Sequence, residues 1–137
     1  MTNETTLIIE TELPIMFTCA EDAEIAKGAI LKMTDGMTAA LADGDGDIVA
    51  GIAAENKIAD DGKTKIAVYR RGIFKGFAGT GGVTIGFGID TDASTSDTNE
   101  IADSPVAGDH LLGTALETAS SAASFLFELN PSDRNEA

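Results

Sequence analysis

The sequence predicts a mainly β protein, a small barrel or sandwich with at most one or two short helical turns. Short β-prone runs follow one another about every ten residues, separated by Gly and Asp signals, as in small all-β domains. In the best-patterned run, TKIAVYRRGIF, Ile66, Val68 and Arg70 fall on one face and Lys65, Ala67 and Tyr69 on the other, the period of a strand. With 43% hydrophobic residues, six Phe, one Tyr and no Trp, the core must be built from Ile, Val, Leu, Ala and Phe.

In chain order the expected strands are 5–10, 13–18, 29–33, 37–41, 48–54, 64–74, 83–89, 111–116 and 123–129. Two stretches compete for helix. AEDAEIAKG (20–28) has acids in its first turn, Lys27 late and Gly28 as a stop. LETASSAAS (116–124) is rich in Ala, but its Ser and Thr suit a loop equally well. The segment TDASTSDTNEIADS (91–104) is nearly free of apolar residues and is expected to be an exposed loop. No internal repeat is evident. The organisation expected is an N-terminal arm (1–13), a β-rich domain (14–130) and a frayed tail (131–137).

A chain of 137 residues suits one domain with a real core. Its formal net charge of −14 argues against nucleic acid as a partner, because phosphate contacts need a basic surface. The balance of 23 acidic against 9 basic residues resembles that of proteins from salt-loving organisms, in which salt screens the self-repulsion. The single Cys19 forms no intrachain disulfide and is expected to be a buried small hydrophobe. The start, MTNETTLIIETELP, lacks a basic n-region and reads as no signal peptide, and no apolar run approaches the length of a membrane span.

Three stretches invite a chemical reading. Asp43, Asp45 and Asp47 alternate with glycine as a calcium loop begins, but the sixth position from Asp43 is Ile48 and the twelfth is Ala54, where such a loop needs Gly and a bidentate acid. A turn between two strands is the expectation, with no metal. GFAGTGGVTIGFG (76–88) lacks the Lys-Ser/Thr ending of a phosphate loop and precedes β-type residues, so turns and close strand packing are expected. His110 and Cys19 stand in no nucleophile context, and one of each does not make a zinc set. The chain therefore reads as a binding or structural module without catalysis or cofactor.

Two features suit a partner surface. TTLIIETELPIMF is an apolar, strand-prone segment that either adds to a partner's sheet edge or completes the protein's own sheet. Arg70 and Arg71 are the one adjacent basic pair in an acidic chain, meeting either an acidic partner within the molecule or another subunit.

The order of LKMTDG (31–36), TAALA (38–42), an acidic turn, AGIAAE (50–55), a polar turn and YRRGIF (69–74) resembles the head decoration, or capsid cement, proteins of tailed double-stranded DNA viruses, of the lambda type. LLGTALETASSAASFLFEL (111–129) is similar to their closing strands, so the likeness covers roughly half the chain, residues 28–78 and 111–129. The resemblance implies a β-tulip-like fold, homotrimers at local three-fold positions on the capsid exterior, and the major capsid protein as partner. It also implies that the shell is reinforced after expansion, with no cofactor, nucleic acid or membrane involved and synthesis in the host cytoplasm. Docking is then expected through Thr5, Thr6, Leu7, Ile8 and Ile9 with Arg70 and Arg71. The alternative is a spike or fibre base with a ligand site in loop 91–104.

Overall fold

The computed structural model describes residues 3–44, 47–91, 99–103 and 110–132. Every regular element among them is a strand: β1 (Thr6–Ile9), β2 (Ile15–Thr18), β3 (Ile30–Asp35), β4 (Thr38–Leu41), β5 (Val49–Ala53), β6 (Lys65–Tyr69), β7 (Gly72–Phe77), β8 (Gly88–Thr91), β9 (Ile101–Asp103), β10 (Leu111–Ala115) and β11 (Ser124–Ser132). The fold is all-β, as the sequence predicts.

Strands β2-β4-β3-β5-β6 form a closed barrel. Its members are antiparallel except β2 and β4, which meet in parallel at Thr18 and Thr38. The remaining strands form a sheet in the order β1-β7-β11-β10-β8-β9. Its far end turns back on itself: Ala78, just after β7, bridges Ile101 of β9 in parallel, and the Gly79 amide donates to the Ile101 carbonyl at 2.8 Å. Five strands, β7, β11, β10, β8 and β9, thus repeat the ring of the first barrel, with β1 added outside on β7.

The repetition holds bond by bond. Ile25 and Lys57 exchange both backbone hydrogen bonds in the first barrel, as Val83 and Ala119 do in the second ring. Gly28 donates to Ala53 as Gly86 donates to Ala115. The Glu55 carboxylate accepts from the Ala67 amide and that of Glu117 from the Leu126 amide, each at 2.8 Å. The Asn56 side chain accepts from the Lys27 amide where the Thr118 hydroxyl accepts from that of Ile85. The chain is therefore two copies of one five-strand unit, which corrects the expectation of no repeat. The sequence hides it because identity along these matched strands and turns falls to Gly28/Gly86, Ala40/Ala102, Gly51/Gly113, Ala53/Ala115 and Glu55/Glu117.

Each unit has its own core. The first is lined by Phe17, Cys19, Ile25, Leu31, Ile66 and Val68, the second by Ala78, Val83, Ile89, Leu112, Phe125 and Phe127. Ile30, Val49 and Ile52 point out of the first barrel and join the second core, so the units share apolar surface. That burial is the main force holding them together.

Several local expectations change. Run 64–74 is two strands, broken at Arg70–Arg71 where the chain leaves one unit for the other. Stretch 20–28 is turns and a bridge at Ile25, and 116–123 is turns around a bridge at Ala119, with Ser124 already in β11. Segment 83–87 is a bridge and a turn leading into β8. Within the expected loop 91–104, Ile101–Asp103 pairs with β8; residues 92–98 and 104 lie outside the described residues, so the ligand-site reading of that loop does as well.

Candidate functional site

The β-branched run that opens the chain forms β1, and its register sets what it exposes. Thr6 pairs with Lys75, Leu7 with Phe74 and Ile9 with Ile73, so the ladder skips Ile8. Such a bulge re-aims the side chains at a sheet edge, and both Ile8 and Ile9 are exposed. Leu7 packs on the second core. Thr5 is buried, and its amide and hydroxyl both donate to the Gly28 carbonyl, at 3.0 and 2.8 Å. Residues 5–9 thus complete the protein's own sheet on one side and tie the first unit to the second.

The two units differ in what lies beside their first strand. On β7, the edge not used by β11 is shared between β9 near Ala78 and β1 along Ile73–Lys75. On β2, the corresponding edge meets β4 at Thr18, while Ile15 and Met16 pair among the described residues with β6 alone. Among the described residues, the half-edge that takes a strand in the second unit takes none in the first. Exposed apolar side chains stand on it, Ile15 and Met16, and on the chain that leads to it, Leu13 at 72% exposure and, earlier, Ile8 and Ile9 on β1. Exposed isoleucines, a leucine and a methionine along one run of chain form a ridge of the sort that marks contact surfaces.

The arginine turn sits beside this ridge. A Cβ on Gly72 would lie 3.2 Å from the Ile9 carbonyl oxygen, so the turn after β6 and the end of β1 are in close contact. Arg70 donates to the Ala50 carbonyl at 3.2 Å and Arg71 to the Asn130 side-chain oxygen. The acceptors seen are neutral, and not the acidic partner within the molecule that was one of the two expectations. Next to them, burial and then a hydrogen bond with Glu10 push the Tyr69 phenol above its ordinary range. The structure therefore brings Ile8, Ile9 and the Arg70–Arg71 turn together and shows Thr5 and Leu7 engaged inside. The sequence places Leu13, Ile15 and Met16 in the apolar start but not among the expected docking residues; the signal for them was Pro14, which removes a backbone donor beside an apolar pair.

The stretches with a chemical reading have structural employment. Oδ2 of Asp47 accepts from the amides of Asp43 and Gly44, both at 2.9 Å, and Asp43 pairs with Lys32 at 2.6 Å. Thr91 ties this loop to β8 by donating to the Gly44 carbonyl at 2.5 Å. Gly76 lies under the Phe127 ring, and Gly82 packs against the Ala119 carbonyl. Cys19 is buried in the first core, where burial pushes its thiol up, and His110 stands just before β10. Lys57 is buried too, and its ammonium donates to the Glu21 and Ile58 carbonyls and the Asp61 carboxylate at 2.7, 2.8 and 2.8 Å. This buried cation has no counterpart in the second ring, which has Ala119 at the matching place.

No family model matches the chain, and no curated protein does. Among solved structures it is similar to the head fiber gp8.5 N base of bacteriophage phi29, with a TM-score of 0.58 and 15% identity, over 88% of this chain and 98% of that one. At that identity the likeness is one of fold: the all-β architecture described above is also the architecture of a phage head fiber base.

Proposed function

We propose that this chain is a structural protein of a tailed-virus head, seated on the outside of the capsid by the ridge that runs from β1 to β2. The observation that carries the reading is the open half-edge at Ile15 and Met16, whose counterpart on β7 already accepts an extended strand. A segment of the major capsid protein added there would gain main-chain hydrogen bonds from the edge and specificity from Leu13, Ile8 and Ile9. The fold likeness to a head fiber base supports a place on the head, and the resemblance to decoration proteins supports homotrimers at local three-fold positions.

Two roles are compatible with that seat, cementing the expanded shell or carrying a projecting fibre. The likeness to a fiber base favours the second. Co-sedimentation of the purified chain with expanded heads that lack it tests the seat. Wild type is expected to saturate the heads, and Ile8→Asp/Met16→Asp to lose occupancy at least about tenfold, a change of ~1.4 kcal/mol, with an unchanged circular dichroism spectrum. Equal occupancy by the two proteins would refute the seat. Heating decorated and bare heads then separates the roles: a cement raises the temperature of DNA release, and a fibre base leaves it where it was.

A further inference from the structure

The second unit carries a surface that its twin hides. In the first unit the turn at Gly28 lies under the chain's own N-terminal segment: a Cβ there would overlap the Thr5 carbonyl oxygen and lie 3.1 Å from the Glu4 Cβ. Asn99 adds a bond from its side-chain amide to the Gly28 carbonyl at 3.1 Å, and Ala29 is 0% exposed. The matching turn at Gly86 has the same left-handed backbone, with φ of 82° against 91°, but a Cβ there would find no atom within 4 Å.

The side chains around the two turns differ in the opposite sense to their burial. Positions held by Lys27, Ala29 and Ala54 in the first unit are held by Ile85, Phe87 and Leu116 in the second. These larger apolar groups are 60%, 57% and 39% exposed. None belongs to either core. The Phe87 carbonyl accepts from the Ala115 amide and the Gly86 amide donates to Ala115, so the three stand together on one rim.

We propose that this rim is the surface through which one copy of the chain meets another. The choice of occupant rests on charge. Residues 76–89 and 111–116 contain no Asp, Glu, Lys or Arg in a molecule of net charge −14. The carboxylates beside the rim are engaged within the chain, Asp103 by Thr84 and Glu117 by the Leu126 amide. Two copies repel where their acidic surfaces face each other, over a Debye length of about 10 Å at 0.1 M salt, so an apolar face with few charges is where they can approach. A basic partner would instead be drawn to the acidic surface. Three side chains are fewer than the roughly 20–30 residues a side of a stable complex, so the contact is weak in free solution and gains from copies being held side by side.

Sedimentation equilibrium of the isolated chain, without heads, tests this apart from the capsid seat. The expected result is concentration-dependent self-association that strengthens with added sodium chloride. Phe87→Ser should weaken it at least about tenfold, or ~1.4 kcal/mol, while the exposed Ile58→Ser of the first unit leaves it unchanged. Ile85→Ser provides a second variant on the rim. A monomer at every concentration and salt would overturn the proposal, and so would association indifferent to both rim variants. Loss of head binding in Phe87→Ser with self-association intact would overturn it as well, by assigning the rim to the capsid.

Discussion

The first barrel and the second ring follow one backbone plan with different side chains, and the contrast separates what specifies the plan from what fills it. In the first unit Phe17 lies among Ile66 and Val68; in the second the matching positions are Gly76, Phe125 and Phe127. The bulk has moved from β2 to the equivalents of β6, and the Phe127 ring lies over the bare α-carbon of Gly76. Cores tolerate such exchanges when total volume is kept. The glycines of β5 and β10 show no such freedom. A Cβ on Gly51 would collide with the Tyr69 carbonyl oxygen, and one on Gly113 with that of Glu128, at the same crossing of the plan. Close backbone approach fixes the fold here, and side-chain volume is negotiable around it.

The largest effects should come from those crossings. Gly51→Ala and Gly113→Ala are each expected to destabilise by roughly 3 kcal/mol or more, since backbone rather than a side chain must yield. Urea unfolding reads this. A marked inequality between the two would break the equivalence of the units.

A core exchange sharpens the comparison. Val68→Phe alone should cost about 2 kcal/mol by overpacking against Phe17. Adding Phe17→Ala, which imitates the arrangement at Gly76 and Phe127, should recover part of that loss although Phe17→Ala alone costs about 3 kcal/mol or more. Additive losses in the double variant would show that the two positions do not share space.

A smaller difference is expected at the turns. Gly28→Ala and Gly86→Ala both place a side chain in the left-handed region, at about 1 kcal/mol each. Only Gly28→Ala also displaces the Glu4–Thr5 segment, so it should cost about 1 kcal/mol more, a buried hydrogen bond's worth. Equal costs would mean that the N-terminal segment does not brace the first unit.

The smallest effect depends on pH. The Lys57 ammonium, and after it the Lys63 amide, hold the Asp61 carboxyl below its usual range. This contribution is therefore fully present above the unfolded-chain value of about 4 and is lost as pH falls through the lower folded value. Asp61→Asn should be less stable than wild type at neutral pH and converge with it in acid. The second unit has Ala119 at the matching position of Lys57 and should show no such dependence.

The sequence made the β class legible because alternation and turn residues are local properties, and eight of the nine expected runs contain an observed strand over most of their length. It concealed the break at Arg70–Arg71, since the one glycine there, Gly72, is set among β-prone residues, and an isolated Gly within such a run suits a bulge in one strand as well as a boundary between two. It concealed β9 because three residues are too short a run for periodicity to register. The repeat was hidden for a physical reason: a buried Lys and an Ala, or a Phe and a Gly, occupy equivalent places. Of the candidate site, the apolar start and the arginine pair were legible. The open half-edge was not, because an unpaired strand edge is a property of the neighbours it lacks.

Imaging heads decorated with this chain tests the central claim most directly, that the ridge from β1 to β2 faces the shell. Density from the capsid protein is expected to be continuous with the Ile15–Met16 edge, with the acidic surface turned to solvent. Copies bound with that edge pointing away from the shell, or heads with no density for the chain on their outer lattice, would contradict it.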